Sequence, residues 1–311
     1  MPVLSVHLIT YNNEKHVEKT LQSILRQKVN FNYEIVVGDD CSTDNTLHII
    51  NKYKEKHSEI FNVKKNEKQL GILGNFKATL DRCQGKYVFD IAGDDLFKTE
   101  DALQKMVDIL QSDTNLGFVD SGFDKYIEDT MKTKHYSNSK LIESDKATYK
   151  NSILIGDFTP IGICFNREKL YQHVDFETYI KMNVGIEDYP ILVDLIMNTS
   201  VKTIQESLHI YRVHRKSYSH TKKMKDLSFQ MRQMLNLFDY FTNKYKFDDY
   251  LVNAYYRNHY RRSLFLAGYY EDKKLGKEVF SEIKTKSFKD YIHYWASQYS
   301  IVRKVISILK R

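Results

Sequence analysis

The chain has 311 residues, of which 42% are hydrophobic and 28% charged, with 3 Pro and 12 Gly. These values describe a globular chain with one large core, or one core plus a smaller appendage, and exclude a disordered or low-complexity protein. The net charge of +7 leaves nucleic acid, anionic lipid or a plain basic surface open as its reason.

Residues 3–10 are β-rich and mostly apolar, as a central strand covered on both faces must be. Tyr11, Asn12 and Asn13 break the run, and Val17, Leu21, Ile24 and Leu25 follow at helical spacing. Residues 33–38 predict a second strand that ends in Asp39 and Asp40. Ser42 or Thr43 is placed to cap the next helix, which carries Leu47, Ile50 and Tyr53. A weaker edge strand is expected over 60–64, then a polar loop with Gly71 and Gly74. Asn75 then opens a short helix with Phe76, Leu80 and Cys83 on one face. Residues 86–97 hold an apolar strand that runs straight into Asp94 and Asp95, and Leu103, Met106, Val107 and Leu110 mark another helix. The first 112 residues therefore alternate strand and helix, the signature of a parallel α/β sheet.

The order then changes. Strands are expected at 116–124 and 160–165, with a polar excursion at 129–145 and a helical turn at 167–172. Glu187 and Asp188 form a second acidic pair before an apolar helix at 191–197, and residues 201–205 and 208–213 read as two strands around a Glu206-Ser207 turn. The sheet becomes mixed in this half. Beyond it lie four helical patterns, at 222–246, 248–270, 274–286 and 288–311, rich in Lys, Arg, Tyr and Phe. The expected division is an α/β domain over 1–216 and a helical region over 217–311.

Cys41, Cys83 and Cys164 are few, odd in number and lack metal-ligand spacing, which suits a reducing compartment. The first residues enter a strand without the regions of a signal peptide, and no apolar run approaches the roughly 18 residues of a membrane span. The expected location is cytoplasmic, with peripheral contact at the inner face of the membrane as an option.

Side chains on neighbouring strand residues point to opposite faces, so Asp94 and Asp95 do not form a packing pair. Just past the carboxyl end of a strand they occupy the place where open α/β sheets bind ligands. A hard divalent cation bridging carboxylates and a nucleotide diphosphate suits them. A solvated turn is the plain alternative.

An ordered series of stretches resembles the bacterial branch of glycosyltransferase family 2: Val6-His-Leu-Ile-Thr-Tyr-Asn12, Ser23-Ile-Leu-Arg-Gln27, residues 34–44 with Asp39-Asp40, Ala92-Gly-Asp-Asp95, Glu187-Asp188 and Tyr211-Arg-Val-His214. The resemblance covers roughly residues 3–216. It implies the GT-A fold, a Rossmann-like, mainly parallel mixed sheet flanked by helices, here followed by the all-helical region. It further implies that Asp40 takes the N–H of a uracil ring, with Thr10, Tyr11 and Asn12 lining the nucleotide pocket, whereas helix capping is the structural alternative for Asp39 and Asp40. Asn75 would meet the uridine or diphosphate, or cap its helix. Asp95 would bind a divalent metal, Mn²⁺ or Mg²⁺, and Asp94 the ribose hydroxyls. The family's first acidic position is here Ala92 or Gly93. Asp188 would be the base that takes the acceptor proton, with ordinary helix capping as the alternative, and His214 would reach the metal or the diphosphate, flanked by Arg212 and Arg215.

The implied activity is metal-dependent, inverting transfer from a nucleotide sugar, most simply a UDP-sugar, to a hydroxyl of a glycan or lipid-linked acceptor in surface polysaccharide assembly. A nucleotide-sugar binder without turnover is the alternative. The helical region reads as a bundle that packs on the catalytic domain or on a second copy in a homo-oligomer, and a basic amphipathic helix lying on an anionic membrane is the other reading. A nucleic-acid partner is not expected, because acids interrupt the basic residues throughout this region.

Overall fold

The computed structural model describes residues 1–136, 146–214 and 224–309. The chain divides into two compact units, Met1–Ile153 with Asp157–His220, and Leu154–Gly156 with Thr221–Arg311. The boundary expected at 216 lies outside the described residues.

The first unit is built on a sheet of nine strands among the described residues. β1 (Leu4–Thr10), β2 (Tyr33–Asp39), β3 (Phe61–Lys65) and β4 (Tyr87–Ala92) are parallel, in the spatial order β3-β2-β1-β4. The crossovers are α1 (Val17–Leu25), α2 (Thr46–Lys56) and α3 (Gly71–Leu80). β1 is buried along almost its whole length, including its polar residues Ser5, His7 and Thr10, so both its faces are covered. Leu4, Val6 and Leu8 share one core with Leu21 and Ile24 of α1 and with Leu103, Met106 and Leu110 of α4 (Ala102–Ser112). Truncating any one of these leucines to Ala would cost about 2–5 kcal/mol.

Past β4 the sheet becomes mixed, as the sequence implies. The chain continues through β5 (Leu96–Phe97), α4, β6 (Leu116–Ile127), β7 (Lys132–Tyr136), α5 (Lys146–Leu154), β8 (Ile163–Asn166), α6 (Arg167–His173), α7 (Phe176–Lys181), α8 (Asp188–Asn198) and β9 (Ser200–Val213). β8 runs antiparallel between β4 and β6, β9 runs parallel beside β6, and β5 pairs antiparallel with β9.

Four local expectations are corrected. Residues 201–213 are one strand and not two around a turn: β9 stays paired with β6 while the register jumps from Ser121↔Ile204 to Gly122↔Ser207, so Gln205 and Glu206 bulge out of the ladder. The polar excursion begins with β7 pairing back on β6, and its part at 137–145 lies outside the described residues. α2 starts at Thr46, beyond Ser42 and Thr43, because those two are bonded to Asn12 across the crevice. α3 starts at Gly71, whose φ of 75° turns the chain into the helix, so Asn75 lies inside α3.

The second unit holds α9 (Met224–Tyr245), α10 (Asp249–Tyr270), α11 (Lys273–Glu282), α12 (Phe288–Gln298) and α13 (Ser300–Leu309). Asp248, Asp272 and Ser287 each accept a backbone N–H three residues on and fix three of these starts. Phe238 stacks on Tyr255 at 3.7 Å and ties α9 to α10. The helix expected over 288–311 is interrupted at Tyr299, whose backbone is extended.

Gly162 is required by what it faces. Its φ is +68°, and an added Cβ would stand 2.4 Å from Nδ1 of His209, a ring buried against Phe89 and Phe97. Burial lowers the pKa of His209 to about 3, so the ring packs as a neutral group. Gly162→Ala is therefore expected to destabilise the chain by about 2–4 kcal/mol, readable as a lower urea midpoint at unchanged slope. An unchanged midpoint would show that His209 moves aside freely.

Candidate functional site

In the order β3-β2-β1-β4 the chain leaves β1 in one direction and returns on its other side with β4, which opens a crevice at the carboxyl ends of these strands. Thr10 sits opposite Asp39 in the β1–β2 ladder, and its Oγ1 donates to Oδ1 of Asn13 at 2.9 Å. Tyr11 is exposed. Asn12 and Cys41, the residues that turn the chain out of β1 and β2, both hold left-handed backbones, with φ of 54° and 66°. Non-glycine residues adopt this only under constraint, and constraint of this kind collects at binding sites. Here the constraint is visible: the Asn12 N–H donates to Ser42 Oγ, and its Oδ1 accepts from the Thr43 N–H, each at 2.9 Å.

Asp40 is buried and occupied. Oδ1 accepts from Asn66 Nδ2 and from the Leu70 N–H, and Oδ2 from the Gly71 N–H, at 2.8–3.0 Å. Its charge thus fixes the start of α3, a job that spacing alone did not reveal. Asn75 is spent inside the fold: Nδ2 donates to the Gly38 carbonyl and Oδ1 accepts from Asn66 Nδ2, both at 2.9 Å. It does not open its helix.

On the other rim, Arg212 of β9 organises the acidic pair. Its backbone N–H donates to Asp95 Oδ1 and its Nε to the Asp94 carbonyl, each at 2.9 Å. His214 Nε2 lies 2.8 Å from Asp94 Oδ2. The Arg212 guanidinium is buried over the Tyr126 ring at 5.5 Å and approaches Glu128 at 4.0 Å. Glu128 in turn meets His16 Nε2 at 3.1 Å, and the His16 and His214 rings are 4.6 Å apart. Burial, and then the neighbouring Asp94, holds the Asp95 carboxyl well above the ordinary range. Arg215 lies outside the described residues.

Glu187 and Asp188 stand at the start of α8, where the Asp188 carboxylate accepts its neighbour's N–H at 2.6 Å. Burial raises both carboxyls, and Asp90 adds its charge to the same effect on each. The neighbouring charge that raises Asp188 is Asp90, while Asp188 itself raises Glu187. Asp90 lies on β4 directly opposite His7 of β1. Its Oδ1 is 2.7 Å from His7 Nδ1, while His7 Nε2 is 2.9 Å from the Phe76 carbonyl. A carbonyl only accepts, so Nε2 carries the hydrogen of that contact.

Asp90, Asp94, Asp95, Glu187 and Asp188 thus interact as one acidic surface. No group of three or more side chains among the described residues could hold a metal by itself. Two hard carboxylates are nonetheless the usual protein share for a small divalent cation that completes its shell with phosphate and water, so Asp94 and Asp95 fit such an ion. Sequence reasoning missed His7, His16, Asn66, Asp90 and Glu128. A signal for one pair was present: His7 and Asp90 are the titratable side chains that interrupt the apolar residues of β1 and β4.

Comparison with known proteins gives this geometry a context. Residues 5–173, more than half of the chain, match the family described as Glycosyl transferase family 2. The uncharacterized protein Rv1520 of Mycobacterium tuberculosis is 31% identical over 107 residues, 34% of this chain, and the chain spans only 31% of that relative's length. TuaG of Bacillus subtilis, whose name places it in teichuronic acid biosynthesis, is 27% identical over 230 residues, 68% of this chain and 88% of TuaG. Among solved structures, Staphylococcus aureus TarS 1-349 with UDP-GlcNAc superposes with a TM-score of 0.56 at 18% identity, over 75% of this chain and 66% of that one. The mannosyltransferase PcManGT of Pyrobaculum calidifontis, with GDP-Man and Mn²⁺, gives 0.52 at 17%, over 76% and 70%. These likenesses establish the GT-A fold.

The structural role of Asp40 can be separated from any ligand. Asp40→Asn turns one accepting oxygen into a donor that meets at least one of the three N–H donors, and should cost about 1–3 kcal/mol in denaturant melts without nucleotide. Full stability in the variant would show that these hydrogen bonds do not hold α3.

Proposed function

The chain belongs to glycosyl transferase family 2, and we propose that it is a metal-dependent, inverting glycosyltransferase that takes its sugar from a UDP-sugar. The observation that carries this reading is the meeting of three features at one crevice: Asp94 and Asp95 held by Arg212, Asp188 with a raised pKa, and the strained rim at Asn12 and Cys41. The names of TuaG, a teichuronic acid biosynthesis glycosyltransferase, and of Staphylococcus aureus TarS, a poly(ribitol-phosphate) β-N-acetylglucosaminyltransferase, support surface polysaccharide assembly, in which the acceptor would be a glycan or a lipid-linked glycan.

In this reading Thr10, Tyr11, Asn12 and Asp40 line the uridine, and Asp94 meets the ribose hydroxyls with His214 at its side. Asp95 would hold the divalent ion through Oδ2, the oxygen that takes no hydrogen bond from a described residue. The ion, when bound, supplies Lewis-acid neutralisation of the charge on the departing diphosphate. Asp188 removes the acceptor proton, for which it must be ionised; burial and Asp90 make it a stronger base than an exposed aspartate. Ala92 or Gly93, at the position where the family carries an acid, favours one second reading, a nucleotide-sugar binder without turnover.

A thermal-shift panel of nucleotide sugars with Mn²⁺ or Mg²⁺ tests donor binding, since specific binding raises the melting temperature by mass action. UDP-sugars should stabilise the chain and GDP-sugars should not; the reverse order would overturn the donor. Asp95→Ala is expected to lower turnover by about a hundredfold or more, and retained activity would remove the metal assignment. The pH profile of turnover follows from the base. A raised Asp188 is protonated at low pH, so the acid limb should lie above the ordinary aspartate range near 3.8. Removing the neighbouring charge with Asp90→Asn should move that limb to lower pH, and an unmoved limb would exclude Asp188 as the titrating base.

A further inference from the structure

α12 is patterned inside out. Its fully buried residues are Asp290, Ala296 and Ser297, with Tyr294 half-buried on Phe280, whereas Phe288 is 77% exposed, Trp295 43% and Tyr291 39%. Where Gly268 and Gly276 meet this helix there is no room for large groups: a Cβ on Gly276 would stand 2.1 Å from Ser297 Oγ, and one on Gly268 2.8 Å from the His293 carbonyl. The exposed residues recur at intervals of three and four and therefore form one stripe. α13 continues the inversion, with Ile301 and Val305 exposed on one side and Arg303 turned inward to Glu271 and the Ala296 carbonyl.

Charge accompanies this stripe. Residues 221–311 contain 19 Lys and Arg against 9 Asp and Glu, an excess of ten, while the remaining residues are net acidic by three. A cavity of about 390 Å³ lies at the start of α12, lined by Arg261, Arg262, Phe265, Ser287, Lys289 and His293. Its one carboxylate, Asp290, is taken up by Arg261 at 3.2 Å and by Ser287. Arg262 and Lys289 are exposed and form no ion pair with a described residue. No helix among the described residues is long and apolar enough to cross a membrane.

We propose that this face lies on an anionic phospholipid surface, with Phe288, Tyr291 and Trp295 among the headgroups and Arg262 and Lys289 receiving a headgroup phosphate. Amphipathic aromatic rings favour the boundary between water and hydrocarbon, and a bare aromatic stripe beside uncompensated cations matches a negatively charged bilayer on both counts. A second copy of this chain would bring the same cations against themselves. The inference requires nothing from the catalytic reading.

Trp295 is the only tryptophan, so it reports on its own stripe. The purified chain, without donor or metal, is mixed with phosphatidylcholine vesicles or with vesicles carrying about one third phosphatidylglycerol, and read by Trp emission and by flotation. The expected result is a shift to shorter wavelength and flotation with the anionic vesicles alone, reversed by high salt. Arg262→Gln with Lys289→Gln should weaken binding about tenfold or more, and Phe288→Ser with Tyr291→Ser should abolish the emission shift. All four positions are exposed, and circular dichroism melts confirm that the variants fold. Absence of both signals overturns the proposal. So does an emission shift that grows with protein concentration in the absence of lipid, which would place a second copy on this face.

Discussion

The acidic floor of the crevice depends on Arg212. Two adjacent carboxylates beside three more repel one another, and a loop that carried them alone would swing toward water. Arg212 prevents this with two hydrogen bonds from one residue, its backbone to Asp95 and its Nε to the Asp94 carbonyl. Its guanidinium is itself fixed by burial over Tyr126 and by the approach of Glu128. A charged donor preorganised in this way strengthens each bond and removes the entropy of ordering the loop when a ligand arrives.

That arrangement requires β9 to be in the correct place, which is a property of the sheet and not of the loop. β9 reaches the crevice by running parallel to β6, and its register shifts by two residues at Gln205 and Glu206 and by one more at Leu208 before the functional end begins. Without the one-residue shift at Leu208, period-two alternation would carry the Arg212 side chain to the other face. β5 then pairs Leu96 and Phe97 with Ile210 and His209, which pins the chain just after the acidic pair to the same strand. The glycine at 162 lets His209 sit under that junction.

Much of this was legible in the sequence, and for definite reasons. The central strands are apolar because both their faces are covered, so β1, β2 and β4 could be placed from composition alone. α1 and α4 announced themselves through spacings of three and four, and the acidic strand ends at Asp39-Asp40 and Asp94-Asp95 fell where an α/β sheet binds ligands. Legibility ended where a contact is made between distant segments. Nothing local distinguishes Glu206-Ser207 in a turn from the same residues in a bulge, because the answer is set by β6. Asn75 looked like a cap because its bond to Gly38 spans 37 residues. The stripe on α12 read as core because aromatic residues usually fill cores; only the tight packing on Gly268 and Gly276 sends them outward.

One feature of the core bears on how this chain can change over generations. His7 and Asp90 face each other across two central strands, and each supplies what the other lacks. Losing His7 alone would leave the Asp90 carboxylate without its partner beside four other carboxyls, and losing Asp90 alone would leave a buried ring nitrogen without its partner. A lineage therefore cannot leave this state by one substitution without passing through a weakened intermediate. The two positions should be inherited as a unit, replaced together by a pair of apolar residues or kept together. Their joint presence or absence would sort relatives into two groups along a line that overall identity does not draw.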